Sequence, residues 1–424
     1  MTRKLLQEKM ITKESAVALR ELWTIAYRDL GRNRRRSAFT ALAVALGLMV
    51  IISMDGLIAG MWESSLHDTI RLETGHLQVR AVSYQAERMS LEWEDLVEDS
   101  SSLAARASAM AEVSAASPVL WATGVLNSAD ESSGVKLYGV DPNSSVHSAI
   151  QEVMVEGAYL TPDDRSGIIL GKRLADDLGI SVGQKVNLSV VDADERLQEG
   201  LFTIRGLFAT GFPAYDQGTV FMSLDKAQAF TGADGRASTI LVMLHRQEDT
   251  DTVATALQTP GLSLLTWRDL NAMLIDAVSM GQRVYHMIYG IILLVVAVVI
   301  ANTLLMAVFE RIQEIGILSA LGMKRRQIVM MFVLEAAAIG LIGIALGLVM
   351  GGVVLAYLST AGIPLGSSAD AVQGIMMGSA MYASFNLGSI VMLSLVTLVF
   401  TLLASLLPAW FAGRLEPVEA LHSV

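Results

Sequence analysis

RNRRRSAFTALAVALGLMVIISMDGLIAGM, residues 32–61, sets four arginines against a long apolar run. From Ser37 to Met61 the only ionisable side chain is Asp55. The run has the length a helix needs to cross a hydrocarbon core, about 20 apolar residues. It is too long and too far from the N-terminus for a cleaved signal peptide, and no small-residue cleavage pattern follows it. Because lysine and arginine in short flanks stay on the cytoplasmic side, the chain is expected to leave the cytoplasm at Arg36.

Working outward, three more runs of this kind occur near the C-terminus: Ile288–Phe309, Ile328–Tyr357 and Ile390–Phe411. Arg311, Lys324, Arg325 and Arg326 crowd the connector between the second and third, the stretch Ser359 to Gly388 has no lysine or arginine, and Arg414 follows the last run. Four crossings with both termini cytoplasmic follow, which puts the long segment after Met61 outside. Composition agrees: 53% of the 424 residues are hydrophobic and 17% charged, with a mean hydropathy of +0.49. A soluble domain of this size could not hide that apolar excess in one core. The net charge of −11 is sorted, roughly +6 in residues 1–36 and roughly −15 in residues 62–285, as a membrane between them requires. Cysteine is absent, which removes disulfides, thiolate metal sites and thiol nucleophiles.

The expected fold class is therefore membrane α-helical, with four transmembrane helices, plus an extracytoplasmic α+β domain. Its organisation reads as a cytoplasmic N-terminus (1–36) and a first span (37–61), then the outer domain (62–287) and a second span (288–309). A cytoplasmic connector (310–327), a third span (328–357), an outer loop (358–389), a fourth span (390–411) and a tail (412–424) complete it. Alternating runs His76–Val82, Gly134–Val140, Lys185–Val191 and Ser238–Leu244 have strand character, and Ser102–Glu112 and Asp251–Gln258 read as helices. Strand, helix, strand occurs twice, which predicts a split α/β subdomain (62–152 and 233–287) holding an inserted, mostly β piece (153–232).

ERIQEIGILSALGMKRRQIVMMF, residues 310–332, is too short for a domain and too amphipathic for an idle loop. Ile312, Ile315, Leu318 and Leu321 recur at helical spacing among Glu310, Arg311, Glu314, Lys324, Arg325 and Arg326. Periodicity alone allows a helix that docks in a partner's groove or one that lies among lipid headgroups. Gly343, Gly347 and Gly351 repeat every four residues on the third span. That spacing suits a close seam, within the chain or between copies, though glycine is also common in membrane helices. Glu335 lies about 10 Å into that span. An unpaired carboxylate there costs a few kcal/mol, so it should hold a structural hydrogen bond or ion pair rather than relay protons. Asp55 is expected near the outer interface and solvated, and His76 packed in a strand rather than bound to metal.

Residues 310–332, with Glu335 just beyond, resemble the cytoplasmic loop of ABC permeases of the MacB, FtsX and LolC/LolE type. The segments IAYRDLGRNRRRSAFTALAVALGL (25–48) and LPAWFAGRLEPVEAL (407–421) resemble the same family. TGHLQVR (74–80), GIILGKRLADDLGISVGQKVNL (167–188) and GLFATGFPAYDQGTVFMSLDKAQAF (206–230) look like its lipoprotein-releasing branch. The resemblance implies a coupling helix at Glu310–Arg326 that receives an ATPase's motion. Glu314, Gly316, Ala320, Leu321 and Gly322 stand on matching positions, beside Arg311, Ile315, Leu318, Arg325 and Arg326. It implies porter-like and Sabre-like subdomains outside, and an amphipathic helix along the inner surface at Ala18–Leu30. Leu19, Leu22, Trp23, Ala26 and Leu30 form that helix's apolar stripe.

The implied function is the permease subunit of a mechanotransmitting ABC transporter in a bacterial inner membrane, engaged in lipoprotein release or export. Its expected partners are a cytoplasmic ATPase dimer, a second copy or a related permease, the lipid membrane, and a lipoprotein or a periplasmic acceptor or adaptor. Export of a peptide, drug or antibiotic with an adaptor, and an outward-facing receptor, are the alternatives. No cofactor is expected on the chain itself, ATP and magnesium being held by the ATPase. The nearest phosphate-loop look-alike, GIILGKR (Gly167–Arg173), is one residue short between its glycines and carries arginine where serine or threonine would bind magnesium. No catalytic constellation is seen, so the chain is not expected to be an enzyme, and the acidic outer domain argues against nucleic acid.

Overall fold

The computed structural model describes residues 34–85, 88–164, 166–364 and 380–414. The expected surface helix at Ala18–Leu30, residues 365–379 of the outer loop and residues 415–424 of the tail lie outside the described residues. The chain forms two compact units. Of the described residues, a helical unit takes those up to Gly60, Ser279–Ile363 and those from Tyr382 on, and a sheet unit takes those of Met61–Val278 with Pro364, Ala380 and Met381.

Helix α1 (Arg34–Thr69) is uninterrupted for 36 residues, about 54 Å at 1.5 Å per residue. In hydrocarbon every backbone polar group must be paired within the segment, so an apolar run of this length has only the helix open to it. The helix outlasts the apolar run by two turns, through Glu63, His67 and Asp68. Hydropathy marks where the lipid ends, and the backbone hydrogen bonds do not stop there. A single π-helical turn, Ile70–Thr74, follows.

The sheet unit is built on β1 (Leu77–Ala81), α2 (Ser100–Ser108), β2 (Val113–Asn127), β3 (Ser132–Val140), β4 (Met154–Gly157), β5 (Gly167–Gly171), β6 (Lys185–Val191), β7 (Leu197–Phe208), β8 (Thr219–Ser223), α3 (Leu224–Thr231), β9 (Thr239–Leu244), α4 (Thr250–Ala256) and β10 (Leu262–Thr266). The strands form one sheet in the order β10-β1-β9-β2-β3-β8-β5-β7-β4, with β6 pairing β2 and β7. Both strand, helix, strand passages are present. Their helices α2 and α4 close a core with Leu77, Val79, Ile240 and Val242. A second core holds Leu126, Leu137, Ile168, Leu188, Phe202 and Val220. The sheet does not break at the boundaries of the expected insert: β2 and β3 from before it pair with β6 and β8 from within it.

His76 is packed as expected: its Nδ1 accepts the Leu244 N–H at 3.2 Å, and burial lowers its pKa. His147 is buried edge-on to Phe221, ring centroids 5.9 Å apart. Neither of its ring nitrogens has a hydrogen-bond partner. Burial alone pushes its pKa down to about 4, whereas an unfolded histidine titrates near 6.5. Between those values the unfolded chain binds the extra proton, so the stabilisation is full above about pH 6.5 and is lost as pH falls toward 4. We expect His147→Phe to remove about 2–3 kcal/mol of pH dependence between pH 7 and 4. Denaturant unfolding of the purified full chain at several pH values would read it, and an unchanged profile would exclude this group as the cause.

The helical unit continues with α5 (Ala272–Glu310), α6 (Ile312–Ala320), α7 (Arg325–Ala361) and α8 (Leu387–Ala412). Helices α1, α5, α7 and α8 are each long and apolar enough to cross a membrane. Val44, Leu48 and Ile52 of α1 meet Val296, Ile300 and Leu304 of α5 and Ala336 and Ile344 of α7 in one core. Phe39, Leu46 and Val50 of α1 and Leu395, Val399 and Leu403 of α8 are exposed, as lipid-facing side chains are. Three polar contacts tie α1 to α5: the Arg36–Glu310 ion pair, a Thr40–Thr303 hydroxyl bond of 3.1 Å, and Tyr289 donating to Asp55 at 3.4 Å. Asp55 is half-exposed and also accepts the Tyr289 hydroxyl of the facing helix, so the exposure expected of it is joined by an interhelical contact.

Candidate coupling surface

Helix α6 is separated from α5 by one residue, Arg311, whose φ of −119° and ψ of 18° break the helical path. Its far end closes with Leu321 N–H to Ile317 O at 2.9 Å and Met323 N–H to Leu318 O at 3.1 Å. Gly322 makes that closure at φ +95°, a conformation that side-chain-bearing residues rarely adopt. Helix α7 then starts at once, the Lys324 N–H donating to Gln327 Oε1 at 2.8 Å. These two breaks thereby set off a short helix, Ile312–Ala320, between α5 and α7.

One side of α6 anchors it. Ile315 packs with Val308 of α5, Ile328, Met331 and Phe332 of α7, and Ala409 and Ala412 of α8. Gly316 and Arg311 are buried beside it. The other side is open: Gln313, Glu314, Ile317, Ala320 and Leu321 are exposed, followed by Gly322, Lys324, Arg325 and Arg326. Two of these are large and apolar, Ile317 at 50% exposure and Leu321 at 80%.

The structure therefore divides the residues singled out from sequence. Arg311, Ile315 and Gly316 belong to the anchor and Leu318 is half-buried, while Glu314, Ala320, Leu321, Gly322, Arg325 and Arg326 lie on the open surface. Glu310 is held by Arg36. The stripe Ile312, Ile315, Leu318, Leu321 does not hold as one face. Steps of three at about 100° per residue accumulate about 900° by Leu321, half a turn out of phase. The face that does hold runs 313, 314, 317, 320, 321, and Ile317 was missed. Its signal was present as the offset of four from Leu321 and of three from Glu314.

Gly343 and Gly347 sit against α1: a Cβ at 343 would stand 2.6 Å from Val44 Cβ and 2.8 Å from Ala41 O, and one at 347 would stand 2.9 Å from Ala45 O. Gly351 faces Ile52 on the same helix. Of the two kinds of seam allowed by the spacing, this face makes the one within the chain. Glu335 is 3% exposed, one turn beyond Met331.

The look-alike GIILGKR is strand β5 running into the short helix Lys172–Asp177. It leaves no phosphate cradle, since a Cβ at Gly171 would meet the Asp216 carbonyl at 1.8 Å and Lys172 pairs with Glu156 at 2.8 Å. The sheet unit has a cleft of about 380 Å³ bordered by Ser101, Ser117, Asp141, Asn143, Ser223 and Asp225. Among the described residues no three histidines or carboxylates converge as a metal site.

Residues 37–259 match the family model described as MacB-like periplasmic core domain, and residues 286–417 that described as FtsX-like permease C-terminal. A lipoprotein-releasing system transmembrane protein LolC of Xylella fastidiosa is 25% identical over 414 residues, covering 92% of this chain and 96% of that protein. A macrolide export ATP-binding/permease protein MacB of Brucella abortus is 30% identical over 151 residues, 35% of this chain and 21% of that protein. The crystal structure of the periplasmic region of MacB from Actinobacillus actinomycetemcomitans superposes on 50% of this chain and 98% of its own length, at 12% identity and a TM-score of 0.35.

Proposed function

The chain belongs to the family of the MacB-like periplasmic core domain, with an FtsX-like permease region behind it, and from that premise we propose that it is the membrane subunit of a lipoprotein-releasing ABC transporter driven by a separate ATPase. The observation that carries the coupling half of this reading is the open face of α6. Ile317 and Leu321 offer apolar contact and Glu314, Lys324, Arg325 and Arg326 offer charge. The opposite face is locked into α5, α7 and α8 through Ile315. A helix held on one side and open on the other suits docking in a groove and passes a push into the bundle.

Sidedness rests on the exposed Arg34, Arg35, Lys324, Arg325 and Arg326, which lie in the helical unit and mark its cytoplasmic end. Both termini are then inside and the acidic sheet unit is outside. The work is mechanical: motion received at α6 enters α5, one helix of 39 residues that begins at Ala272. ATP and magnesium belong to the partner. The lipoprotein cargo is supported by the LolC relative, which pairs with this chain over nearly both full lengths.

The test is transfer of a labelled lipoprotein from proteoliposomes holding the full chain and its copurified ATPase to a periplasmic acceptor. Glu314→Lys combined with Arg325→Ala is expected to cut transfer at least tenfold, with ATP hydrolysis retained and membrane level within twofold. Unchanged transfer would remove α6 as the coupling element. Copurification of an adaptor with an outer-membrane channel, and no lipoprotein acceptor, would move the cargo to the peptide, drug or antibiotic class.

A further inference from the structure

The joints between α1 and its two neighbours differ in kind. Against α7 the contact is made by backbone: a Cβ at Gly343 would stand 2.8 Å from the Ala41 carbonyl oxygen, and one at Gly347 2.9 Å from that of Ala45. At the end of α1 away from Arg36, residues 382–384 add a strap. The Ser384 N–H donates to the Gly56 carbonyl of α1 at 2.9 Å, and the Ala383 N–H to the Leu358 carbonyl of α7 at 3.3 Å. Gly60 lets the strap lie so close, since a Cβ there would meet the Tyr382 carbonyl oxygen at 2.1 Å. Ala383 is buried in the same core as Ile52 of α1 and Leu355 of α7.

Against α5 the contact is made by side chains. A Cβ at Gly47 would meet Val296 Cγ2 at 2.7 Å and Ile292 Cγ2 at 3.8 Å, and no α5 backbone atom is among its three nearest neighbours. The polar ties also run between side chains, Arg36 to Glu310, Thr40 to Thr303 and Tyr289 to Asp55. Side chains change rotamer and let packed helices slide by small shears. Backbones held within contact distance of each other have no such freedom, because a close-packed interior leaves them no room.

We propose that α1 and α7 stay fastened as one body throughout the transport cycle and that α5 shears against them, so that the α1–α5 seam is the moving joint of the bundle. The connections of α6 point the same way. A displacement of α6 reaches α5 through one residue, Arg311, and reaches α7 only through residues 321–324, with Gly322 among them at φ +95°. The inference rests on the reading of α6 as the element that receives the ATPase's motion and is independent of the cargo.

The absence of native cysteine lets each joint be pinned by a disulfide. Bonded cysteines hold their Cβ atoms about 3.5–4.5 Å apart. Ile52→Cys with Gly351→Cys meets this across α1 and α7, at 3.5 Å, and Gly47→Cys with Val296→Cys across α1 and α5, at 4.0 Å. In the second pair the change at Val296 also removes the Cγ2 atom that a Cβ at Gly47 would strike. Thr40→Cys with Thr303→Cys, whose hydroxyl oxygens lie 3.1 Å apart, repeats the α1–α5 measurement without altering a glycine.

Full chains with their copurified ATPase in proteoliposomes are oxidised without nucleotide and again with ATP and vanadate. The expected disulfide yield changes at least fivefold between the two states for both α1–α5 pairs and less than twofold for the α1–α7 pair. Lipoprotein transfer, measured before and after adding a reductant, is expected to be at least tenfold lower with an α1–α5 disulfide in place and within twofold with the α1–α7 one. Equal nucleotide dependence at the two joints, none at α1–α5, or arrest of transfer by the α1–α7 disulfide would overturn the proposal. Failure of the α1–α7 pair to oxidise in a chain that inserts normally would overturn it too. A nucleotide-dependent α1–α5 yield with no lipoprotein transfer by the reduced chain would support the joint and remove the cargo. One that survives Glu314→Lys with Arg325→Ala would support the joint and remove α6 as its drive.

Discussion

Gly343→Leu is expected to destabilise the helical unit by about 3 kcal/mol, the upper end of what overpacking costs. The cause is local. The added Cβ alone stands 2.8 Å from the Ala41 carbonyl oxygen and 2.6 Å from Val44 Cβ. The first atom is helix backbone and cannot rotate away, and the second belongs to a β-branched side chain with one favoured rotamer. The remaining leucine atoms then force α1 and α7 apart over the layer that also holds Leu48 and Ile344. Alanine sharpens the comparison: it gains about 1 kcal/mol over glycine in helix propensity, yet its Cβ meets the same atoms, so Gly343→Ala should still lower the thermal midpoint. Gly352, nine residues along, has nothing within 4 Å of a built Cβ, and Gly352→Leu should be silent. Thermal unfolding in detergent, with recovery from membranes, reads all three. Equal behaviour of Gly343→Leu and Gly352→Leu would contradict the seam.

The second large effect is on activity. Ile317→Asp with Leu321→Asp is expected to reduce ATP-driven transfer more than thirtyfold while the protein inserts normally. Both side chains are largely exposed, so changing them should cost the isolated chain within about 0.5 kcal/mol. At a docked interface, losing a central apolar anchor costs at least about 2 kcal/mol, roughly thirtyfold per site at 1.4 kcal/mol per decade. Ile315→Asp, two residues away and buried among Phe332, Val308 and Ala409, should do the reverse and lower the amount of folded protein. If Ile315→Asp inserts normally, or if the exposed pair transfers cargo at the native rate, the anchored and open faces have been assigned the wrong way round.

The spans were legible because lipid imposes composition directly. Each expected run lies inside an observed helix. What hydropathy could not show is how far α1 and α5 continue, since Glu63, His67 and Asp68 end the apolar run without ending the helix. Strands that alternate, such as Lys185–Val191, were read to the residue. Strand β2 was harder, because Pro118 interrupts it and proline argues against an interior strand. It is tolerated one residue before the ladder with β3 begins at Val119. At α6 the apolar residues were visible, yet the sorting into faces needed the phase of the helix. Glu335 was placed inside the span from its depth and is buried there, whereas the burial of Arg311 shows only in its packing.

The fifteen residues of β2 carry a lesson for anyone who would exchange parts between such proteins. Its first half is laddered to β9 and its second half to β6, while β3 beside it is laddered to β8. A graft cut at the apparent borders, residues 153 and 232, would take β6 from Gly124–Asn127, leaving them β3 alone, and would bare one rim of β3, inviting aggregation. A chimera that carries residues 120–140 along with the graft keeps the ladders to β6 and β8 whole.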